Sequence, residues 1–168
     1  LMYFIGKYDT WSRYAPEESG VMIAYASMYG NTESAAQALA AKLCERGVTN
    51  AAIYDVSTTD VSWLIAETFR LSHLVLASVT YNLGIYPKML NFLEDMKALN
   101  VQNRTVGLIE NGSWAVRSGD LIEAFLNDEM KNMTVLEDRV SLASALDNTQ
   151  AIDLDRLADA IADNMQKD

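Results

Sequence analysis

The segment of residues 21–37 constrains the fold of this chain more than any other part of the sequence. Its first six residues, VMIAYA, carry no charge and are typical of a buried strand. A turn rich in hydroxyl groups, SMYGNT, follows directly, and a helical pattern begins behind it. The segment therefore predicts a buried strand, a tight turn and a helix N-terminus in one continuous piece.

The rest of the chain repeats this alternation. Further strands are predicted near residues 51–55, 73–78, 105–109 and 135–143, and the last of them is weak enough to form a sheet edge. Helical spacing predicts helices over about 32–46, from 61, from Pro87, from about 119 and over 154–165. Each connection is long enough only for a crossover helix. The pattern predicts an α/β domain, a doubly wound five-stranded parallel sheet with helices on both faces.

The turn after the first strand has two interpretations that the segment alone leaves open. In the first, backbone N–H groups and the hydroxyls of Ser27 and Thr32 converge on an anion in front of the helix dipole. The turn lacks the lysine of a Walker-type loop, which favours a single phosphate held by neutral donors. In the second, Asn31 or Thr32 is only an N-cap and Gly30 only supplies backbone freedom. The candidate residues are Ser27, Met28, Tyr29, Gly30, Asn31 and Thr32.

Two further loops follow the carboxyl ends of predicted strands and carry amides and aromatic rings. In open parallel sheets the ligand site lies beyond these ends, so we expect the three loops to meet. The candidate residues of the second loop are Thr80, Tyr81, Asn82 and Gly84, and those of the third are Asn111, Gly112, Ser113 and Trp114.

Composition excludes several classes of partner. The chain has 168 residues, enough for one well-buried domain, and a formal net charge of -10. Nucleic acid is not an expected partner, because phosphate neutralisation needs clustered Lys and Arg. No apolar run approaches the length of a membrane span and no signal peptide opens the sequence, so we expect no membrane association and a cytoplasmic protein.

Side chains for metal or nucleophilic chemistry are scarce. Cys44 has no companion for a redox pair, and we expect a small buried thiol. His73 has no ligand partner at a useful spacing, and we expect a surface or capping residue. The sequence therefore predicts neither a catalytic residue nor a metal ligand in this chain.

The first nineteen residues are unusually aromatic for a free tail. Their rings either dock on a surface or are normally covered by a preceding domain, and we favour the second interpretation. Residues 16–20 are expected to form a linker, so that 1–19 is a tail or linker and 20–168 the folded domain. The aromatic residues are Tyr3, Phe4, Tyr8, Trp11 and Tyr14.

The motifs SMYGNTE, TYNLGIYP and ENGSW together resemble flavodoxin-like domains, and most narrowly the C-terminal flavodoxin domain of flavodiiron proteins (A-type flavoproteins). The resemblance covers residues 20–168 and implies a flavodoxin-like sheet with strand order 2-1-3-4-5. It also implies FMN, with its phosphate in the turn of residues 27–32 and its ring between the second and third loops. Trp114 would stack on the ring, and Glu110 would either influence the flavin potential or act as a surface or capping acid.

By this resemblance the chain is an FMN-binding electron-transfer module of a flavodiiron oxygen or nitric oxide reductase, and not a complete reductase. The implied partners are an upstream metallo-beta-lactamase-like di-iron domain and a rubredoxin-like or flavin reductase electron donor, and the resemblance allows a homodimer. Three alternatives stay open: a free-standing flavodoxin, an FMN-dependent quinone reductase, and a docking module without cofactor.

Overall fold

The structure, a computed structural model, describes residues 1–167. From residue 18 onward, the strands of the main sheet alternate with helices, as the sequence pattern predicts, whereas the helix over residues 2–12 was not predicted. The strands are β1 (Glu18–Ala26), β2 (Ala51–Asp55), β3 (Leu71–Tyr81), β4 (Gly84–Ile85), β5 (Gln102–Asn111) and β6 (Lys131–Leu142). The helices are α1 (Met2–Ser12), α2 (Asn31–Glu45), α3 (Val61–Arg70), α4 (Pro87–Ala98), α5 (Ser118–Glu129) and α6 (Asn148–Met165).

Five of the strands form a parallel sheet in the order β2-β1-β3-β5-β6. This confirms the predicted doubly wound order, because the chain winds outward from β1 in one direction and then reverses. The short strand β4 was not predicted. It pairs with the end of β3 in an antiparallel hairpin, and Tyr81 lies opposite Gly84.

Helices cover both faces of the sheet and divide the core into two parts. On one face α2 and α6 pack against the strands through side chains such as Leu39 and Leu157. On the other face α3, α4 and α5 pack through side chains such as Leu64, Phe92 and Leu126. The central strands β1, β3 and β5 are buried from both sides over most of their length, which explains their apolar runs, whereas the edge strands β2 and β6 are only partly buried.

The N-terminal segment is more regular than a linker. Residues 2–12 form α1, and β1 begins at Glu18, three residues before the predicted strand. Gly20 N donates to Ser72 Oγ at 3.1 Å, and Val21 N donates to the Asn50 carbonyl at 2.9 Å. The expectation of a linker over residues 16–20 is therefore wrong for residues 18–20, because neighbouring strands bind their backbone.

Arg104 connects the N-terminal segment to the amino end of the sheet through hydrogen bonds. Only 2% of Arg104 is exposed, and its guanidinium donates to five backbone carbonyl groups and to no carboxylate among the described residues. Its partners include Tyr14 at 2.8 Å and Thr68, near the C-terminus of α3, at 2.9 Å. Burial lowers the pKa of Arg104 to about 10, so the side chain is charged at neutral pH.

Two predictions about single residues are wrong. His73 lies buried in β3 with its ring nitrogens 2.7 Å from Ser72 Oγ and 2.8 Å from Asn164 Oδ1, and is neither exposed nor a helix cap. Cys44 is exposed, because it lies on the outer side of α2 rather than on the side of Leu43. Across residues 1–167, no helix combines the length and the apolar character that crossing a membrane requires.

Candidate functional site

A cleft of about 320 Å³ lies at the carboxyl edge of the parallel sheet, where the winding direction reverses. This volume falls within the range of about 300–1,000 Å³ that small-molecule sites occupy. Ser27, Met28, Tyr29, Asn31, Thr32, Val79, Thr80, Asn82, Leu83, Asn111, Gly112, Ser113, Trp114, Ala115 and Ser144 line it.

The structure brings eleven of the fourteen predicted site residues to this cleft. The other three, Gly30, Tyr81 and Gly84, do not line it: Gly30 precedes α2, and Tyr81 and Gly84 pair across the β3–β4 hairpin. None of the lining residues is Asp, Glu, Lys, Arg or His, although the chain as a whole carries a formal charge of -10. A ligand here is held by hydroxyls, amides, backbone groups and rings.

The N-terminus of α2 is left open toward this cleft. Gly30 is its N-cap with a φ of 85°, a left-handed conformation that favours glycine, and Ser27 Oγ accepts a hydrogen bond from Gly30 N at 3.0 Å. No side chain of the described residues caps the helix. The interpretation of Asn31 or Thr32 as an N-cap is therefore wrong. The first N–H groups of α2 and the helix dipole remain available to an anion.

Two other helices that begin at the same edge, α3 and α6, have N-termini closed by side chains. The carboxylate of Asp147 accepts hydrogen bonds from Thr149 N at 2.7 Å and Gln150 N at 3.3 Å and completes a capping box for α6. Asp60 caps α3 in the same way through Ser62 N at 2.9 Å. Helices α4 and α5 also lack a side-chain cap on the N-cap residue, although the Glu110 carboxylate accepts Gly119 N in α5. What distinguishes α2 is that Asn31 and Thr32 of its first turn line the cleft.

The second loop is a two-residue hairpin between β3 and β4. Asn82 and Leu83 have φ values of 48° and 61°, which is the pattern of a type I′ turn. Asparagine adopts this conformation readily, whereas leucine does so rarely. Thr80 Oγ1 accepts the N–H groups of Arg117 and Ser118, each at 3.1 Å, and so connects this loop to the start of α5.

The third loop turns sharply at Gly112. A Cβ atom on Gly112 would lie 2.3 Å from the Ala115 carbonyl oxygen, so the turn excludes any other residue without a change of shape. Trp114 beyond it is fully exposed at 101% and lines the cleft. Its indole is therefore free to cover the face of a planar ligand.

Glu110 does not line the cleft but closes the start of α5. It is 6% exposed, and its carboxylate accepts hydrogen bonds from Gly119 N at 2.9 Å and Ser141 Oγ at 2.7 Å. Arg139 lies 3.8 Å from it. The interpretation of Glu110 as a capping acid fits these contacts, and its position is buried rather than on the surface.

Sequence reasoning missed a fourth loop, between β6 and α6. Ser144 of this loop lines the cleft, and its N–H donates to Asn111 Oδ1 at 3.2 Å. The loop has neither aromatic residues nor glycine, and it follows the weak edge strand, so its composition gives no local signal of a binding site. The rule that ligands bind beyond the carboxyl ends of parallel strands applies to β6 as well and could have identified it.

Two further observations limit the chemistry of the site. No group of three or more His, Cys, Asp or Glu within residues 1–167 is arranged to hold a metal ion. Burial, assisted by the charges of Glu33 and Asp55, raises the pKa of Tyr25 at the end of β1, so its phenol stays protonated at neutral pH. The residues around the cleft therefore fit a group that is bound through neutral contacts and brings its own reactivity.

Comparison with known proteins identifies a matching family model and several related proteins. The Flavodoxin family model matches residues 23–134. An anaerobic nitric oxide reductase flavorubredoxin of Aeromonas hydrophila is 28% identical over 124 residues, which are 73% of this chain and 25% of that protein. An uncharacterized protein of Methanocaldococcus jannaschii is 32% identical over 95 residues, 56% of this chain and 24% of that protein. The chain spans about a quarter of the length of these curated relatives.

Solved structures show the same fold. The rubredoxin oxygen:oxidoreductase of Desulfovibrio gigas superposes with a TM-score of 0.89 at 22% identity, over 99% of this chain and 40% of that one. A flavodoxin from the domain Archaea superposes with a TM-score of 0.73 at 18% identity, over 89% of this chain and 99% of that one. With the family match across residues 23–134, these similarities establish that the chain belongs to the flavodoxin family, with relatives among both flavodiiron proteins and free flavodoxins.

Proposed function

We propose that this chain binds FMN without a covalent bond and serves as an electron-transfer domain. The observation that carries the proposal is the uncharged cleft in which the open N-terminus of α2 faces loops that bear amides and an exposed indole. Such a cleft accepts an anion at one end and a flat, partly polar ring at the other. FMN combines these two parts in one molecule.

The residues divide between the two ends of the ligand. The turn of residues 27–32 holds the phosphate through the hydroxyls of Ser27 and Thr32 and the first N–H groups of α2. The hairpin at Asn82 and the loop at Gly112 flank the ring, and Trp114 stacks on it for about 0.5–1.5 kcal/mol beyond the burial of its area. When bound, FMN supplies the electron acceptor and donor chemistry, and the chain binds, orients and shields it.

The roles of individual side chains follow from their hydrogen bonds. The Thr80 hydroxyl oxygen already accepts two N–H groups, so only its O–H is left to donate toward a ligand. Gly112 permits the sharp turn that brings the following indole to the cleft. No acid, base or nucleophile of the chain is required, because electron transfer by a bound flavin proceeds without one.

The larger assembly is the finer part of the proposal. The chain is the flavodoxin module of a flavodiiron-type oxygen or nitric oxide reductase, which receives electrons from a rubredoxin-like or flavin reductase donor and passes them to a di-iron domain. Support comes from the flavorubredoxin relatives and from α1, whose exposed face carries Tyr3, Phe4 and Tyr8. Lys7 and Trp11 hold the other side of α1 to Glu17. The exposed rings are the surface that an upstream metallo-beta-lactamase-like domain would cover.

Reconstitution with FMN tests the binding proposal. The purified protein should turn yellow with FMN and release it on heating. The double substitution Ser27→Ala/Thr32→Ala should lower FMN affinity about 10- to 100-fold, because two neutral hydrogen bonds are lost, and should leave riboflavin affinity unchanged because riboflavin has no phosphate. Flavin fluorescence measures both affinities.

Asp60→Ala is the matched control, since it removes a helix cap at the same edge without touching the cleft. Its FMN affinity should equal that of the wild type. Absence of flavin binding after reconstitution contradicts the proposal and favours a docking module. For the larger assembly, the test is the gene upstream of Leu1. A region rich in His and carboxylates supports the module, and its absence favours a free-standing carrier.

A further inference from the structure

Two residues that line the cleft have strained backbone conformations. Four of the seven non-glycine residues with positive φ are asparagines, which tolerate this conformation. The other three are Tyr14 at 53°, Leu83 at 61° and Ser144 at 85°, and two of these, Leu83 and Ser144, line the cleft. Such conformations persist only where the surrounding structure holds them, and they cluster at functional sites.

Ser144 is held in this conformation by the side chain of Asn111. Asn111 Oδ1 accepts Ser144 N at 3.2 Å, and Asn111 Nδ2 donates to the Ser144 carbonyl at 3.1 Å. Asn111 is itself only 5% exposed at the end of β5. Both backbone groups of Ser144 are thus bound by one buried amide, which fixes the direction of the β6–α6 loop.

A pair of hydroxyls from two loops also lines the cleft. Ser144 Oγ lies 3.3 Å from Ser113 Oγ of the third loop, and both residues line the cleft. On the other side, Asn111 Nδ2 lies 3.3 Å from Thr32 Oγ1 at the start of α2. The Ser144 loop therefore connects the anion end of the cleft to the end that carries the indole. A ligand segment that spans these ends therefore has the hydroxyls of Ser113 and Ser144 within the lining of the cleft.

We propose that Ser144 binds the polyol segment of the ligand, the ribityl chain between phosphate and ring, and that Asn111 is the positioning residue that aims it. This inference rests on the proposed binding of FMN and assigns a fourth loop to the site. A hydroxyl both donates and accepts, which suits a chain of ligand hydroxyls. The need for that contact explains why a serine, and not the unstrained glycine, stands at a φ of 85°.

Three flavins separate the contributions of the loops. FMN has phosphate and ribityl chain, riboflavin has the ribityl chain alone, and lumiflavin has neither. Ser144→Ala should lower the affinities for FMN and riboflavin alike, by about 3- to 10-fold for one neutral hydrogen bond, and leave lumiflavin affinity unchanged. Ser27→Ala/Thr32→Ala lowers FMN affinity alone, so the two loops give distinct patterns.

Thermal stability provides a second measurement, which should distinguish Ser144→Gly from Ser144→Ala although flavin affinity does not. Ser144→Gly removes the hydroxyl together with the strain, so its ligand-free form should unfold about 2–4 °C above that of Ser144→Ala while its riboflavin affinity is equally reduced. The matched control is Asn132→Gly, at a φ of 50° on the exposed opposite end of the sheet. This control should leave every flavin affinity unchanged.

The positioning role of Asn111 is tested by combining its substitution with that of Ser144. Asn111→Ala should reduce the preference for riboflavin over lumiflavin by the same factor as Ser144→Ala. The double substitution Asn111→Ala/Ser144→Ala should reduce it no further, because the two residues act as one unit. Additive losses of the preference would contradict the positioning role.

The outcomes distinguish this inference from the proposed function. If wild-type protein binds FMN and riboflavin but Ser144→Ala leaves the preference for riboflavin over lumiflavin unchanged, the assignment of Ser144 is wrong and FMN binding stands. If the wild type binds no flavin, the proposed function fails and this inference fails with it.

Discussion

The two ends of the central sheet differ in whether their polar groups have hydrogen-bond partners within the protein. At the amino end, the donors of Arg104 are used by backbone carbonyls, and the ring of His73 lies between Ser72 and Asn164. At the carboxyl end, the first turn of α2 has no side-chain cap among the described residues, and Trp114 is fully exposed. The amino end forms closed networks, whereas the cleft at the carboxyl end keeps the donors of α2 open.

This difference separates stability from binding. A closed network of buried polar groups contributes through the cost of leaving any member unpaired. An open donor contributes little to folding and is valuable only when a ligand completes it. Substitutions at the amino end should therefore change the free energy of unfolding and not flavin affinity, whereas substitutions of residues that line the cleft at the carboxyl end should change affinity as well.

Arg104 should give the largest effect on stability. Arg104→Met keeps the length of the side chain but removes the guanidinium donors from the carbonyl oxygens of Thr68, Phe69 and Tyr14, of which Tyr14 keeps a second donor in Asn103 Nδ2. We expect a loss of about 3 kcal/mol in the free energy of unfolding, measured by urea denaturation. FMN affinity of the folded fraction should not change.

Arg104→Lys is the informative control. An ammonium group has three donors at a single point and cannot reach all the carbonyls that the planar guanidinium serves. It should recover part of the lost stability, about 1–2 kcal/mol. If Arg104→Met were as stable as the wild type but bound FMN more weakly, the proposal that the amino end determines stability and not flavin affinity would be wrong.

The sequence predicts most of the fold because burial on both faces leaves continuous apolar strands, and helical spacing identifies their crossovers. It fails where a tertiary contact decides. Residues 18–20 join β1 because the Asn50 side chain donates to the Ser19 carbonyl and Ser72 Oγ accepts Gly20 N. The ring of His73 is buried with Asn164 of α6 as a partner. None of these contacts has a local signal.

For the candidate site, the three loops with glycine, amides and rings are visible in the sequence because each has a distinctive composition. Ser144 is not, since its role depends on a backbone φ and on a side chain 33 residues away. The same holds for the open N-terminus of α2. The residues SMYGNT permit a side-chain cap, and only the structure shows that Gly30 occupies the N-cap position.

Two glycines at opposite ends of α2 test, within one helix, whether stability and flavin binding are separate properties of the two ends of the sheet. Gly30 and Gly47 have φ values of 85° and 81°, and a Cβ atom on either would meet nothing within 4 Å. Gly30→Ala and Gly47→Ala should therefore each cost about 1–2 kcal/mol of stability through backbone strain alone. Thermal unfolding of the ligand-free proteins measures this cost.

Only Gly30→Ala should also weaken FMN binding, by about tenfold, because the relaxed turn no longer directs the N–H groups of α2 at the phosphate. Gly47 lies beyond the other end of the helix, and Gly47→Ala should bind FMN as the wild type does. Equal affinities for the two variants would mean that the open terminus of α2 is not the phosphate site.

The smallest effect should be a pH dependence at the closed end. A hydrogen bond with Arg70, aided by the Tyr54 hydroxyl, holds the pKa of Glu67 below its ordinary value of 4.5. Because the unfolded chain then binds the proton more readily, this stabilisation is present above pH 4.5 and is lost as the pH falls through the folded pKa.

Glu67→Gln should therefore be less stable than the wild type at pH 6, by about 1 kcal/mol or less, and the difference should shrink steadily below pH 4.5. Urea denaturation at pH 6 and pH 3.5 measures it, with FMN affinity at pH 6 as the control. That affinity should be the same in both proteins, because the carboxylate faces Arg70 and Tyr54 and is not among the residues that line the cleft. A difference that is equal at the two pH values would mean that Glu67 stabilises the fold by packing alone and that its charge is not part of the closed network.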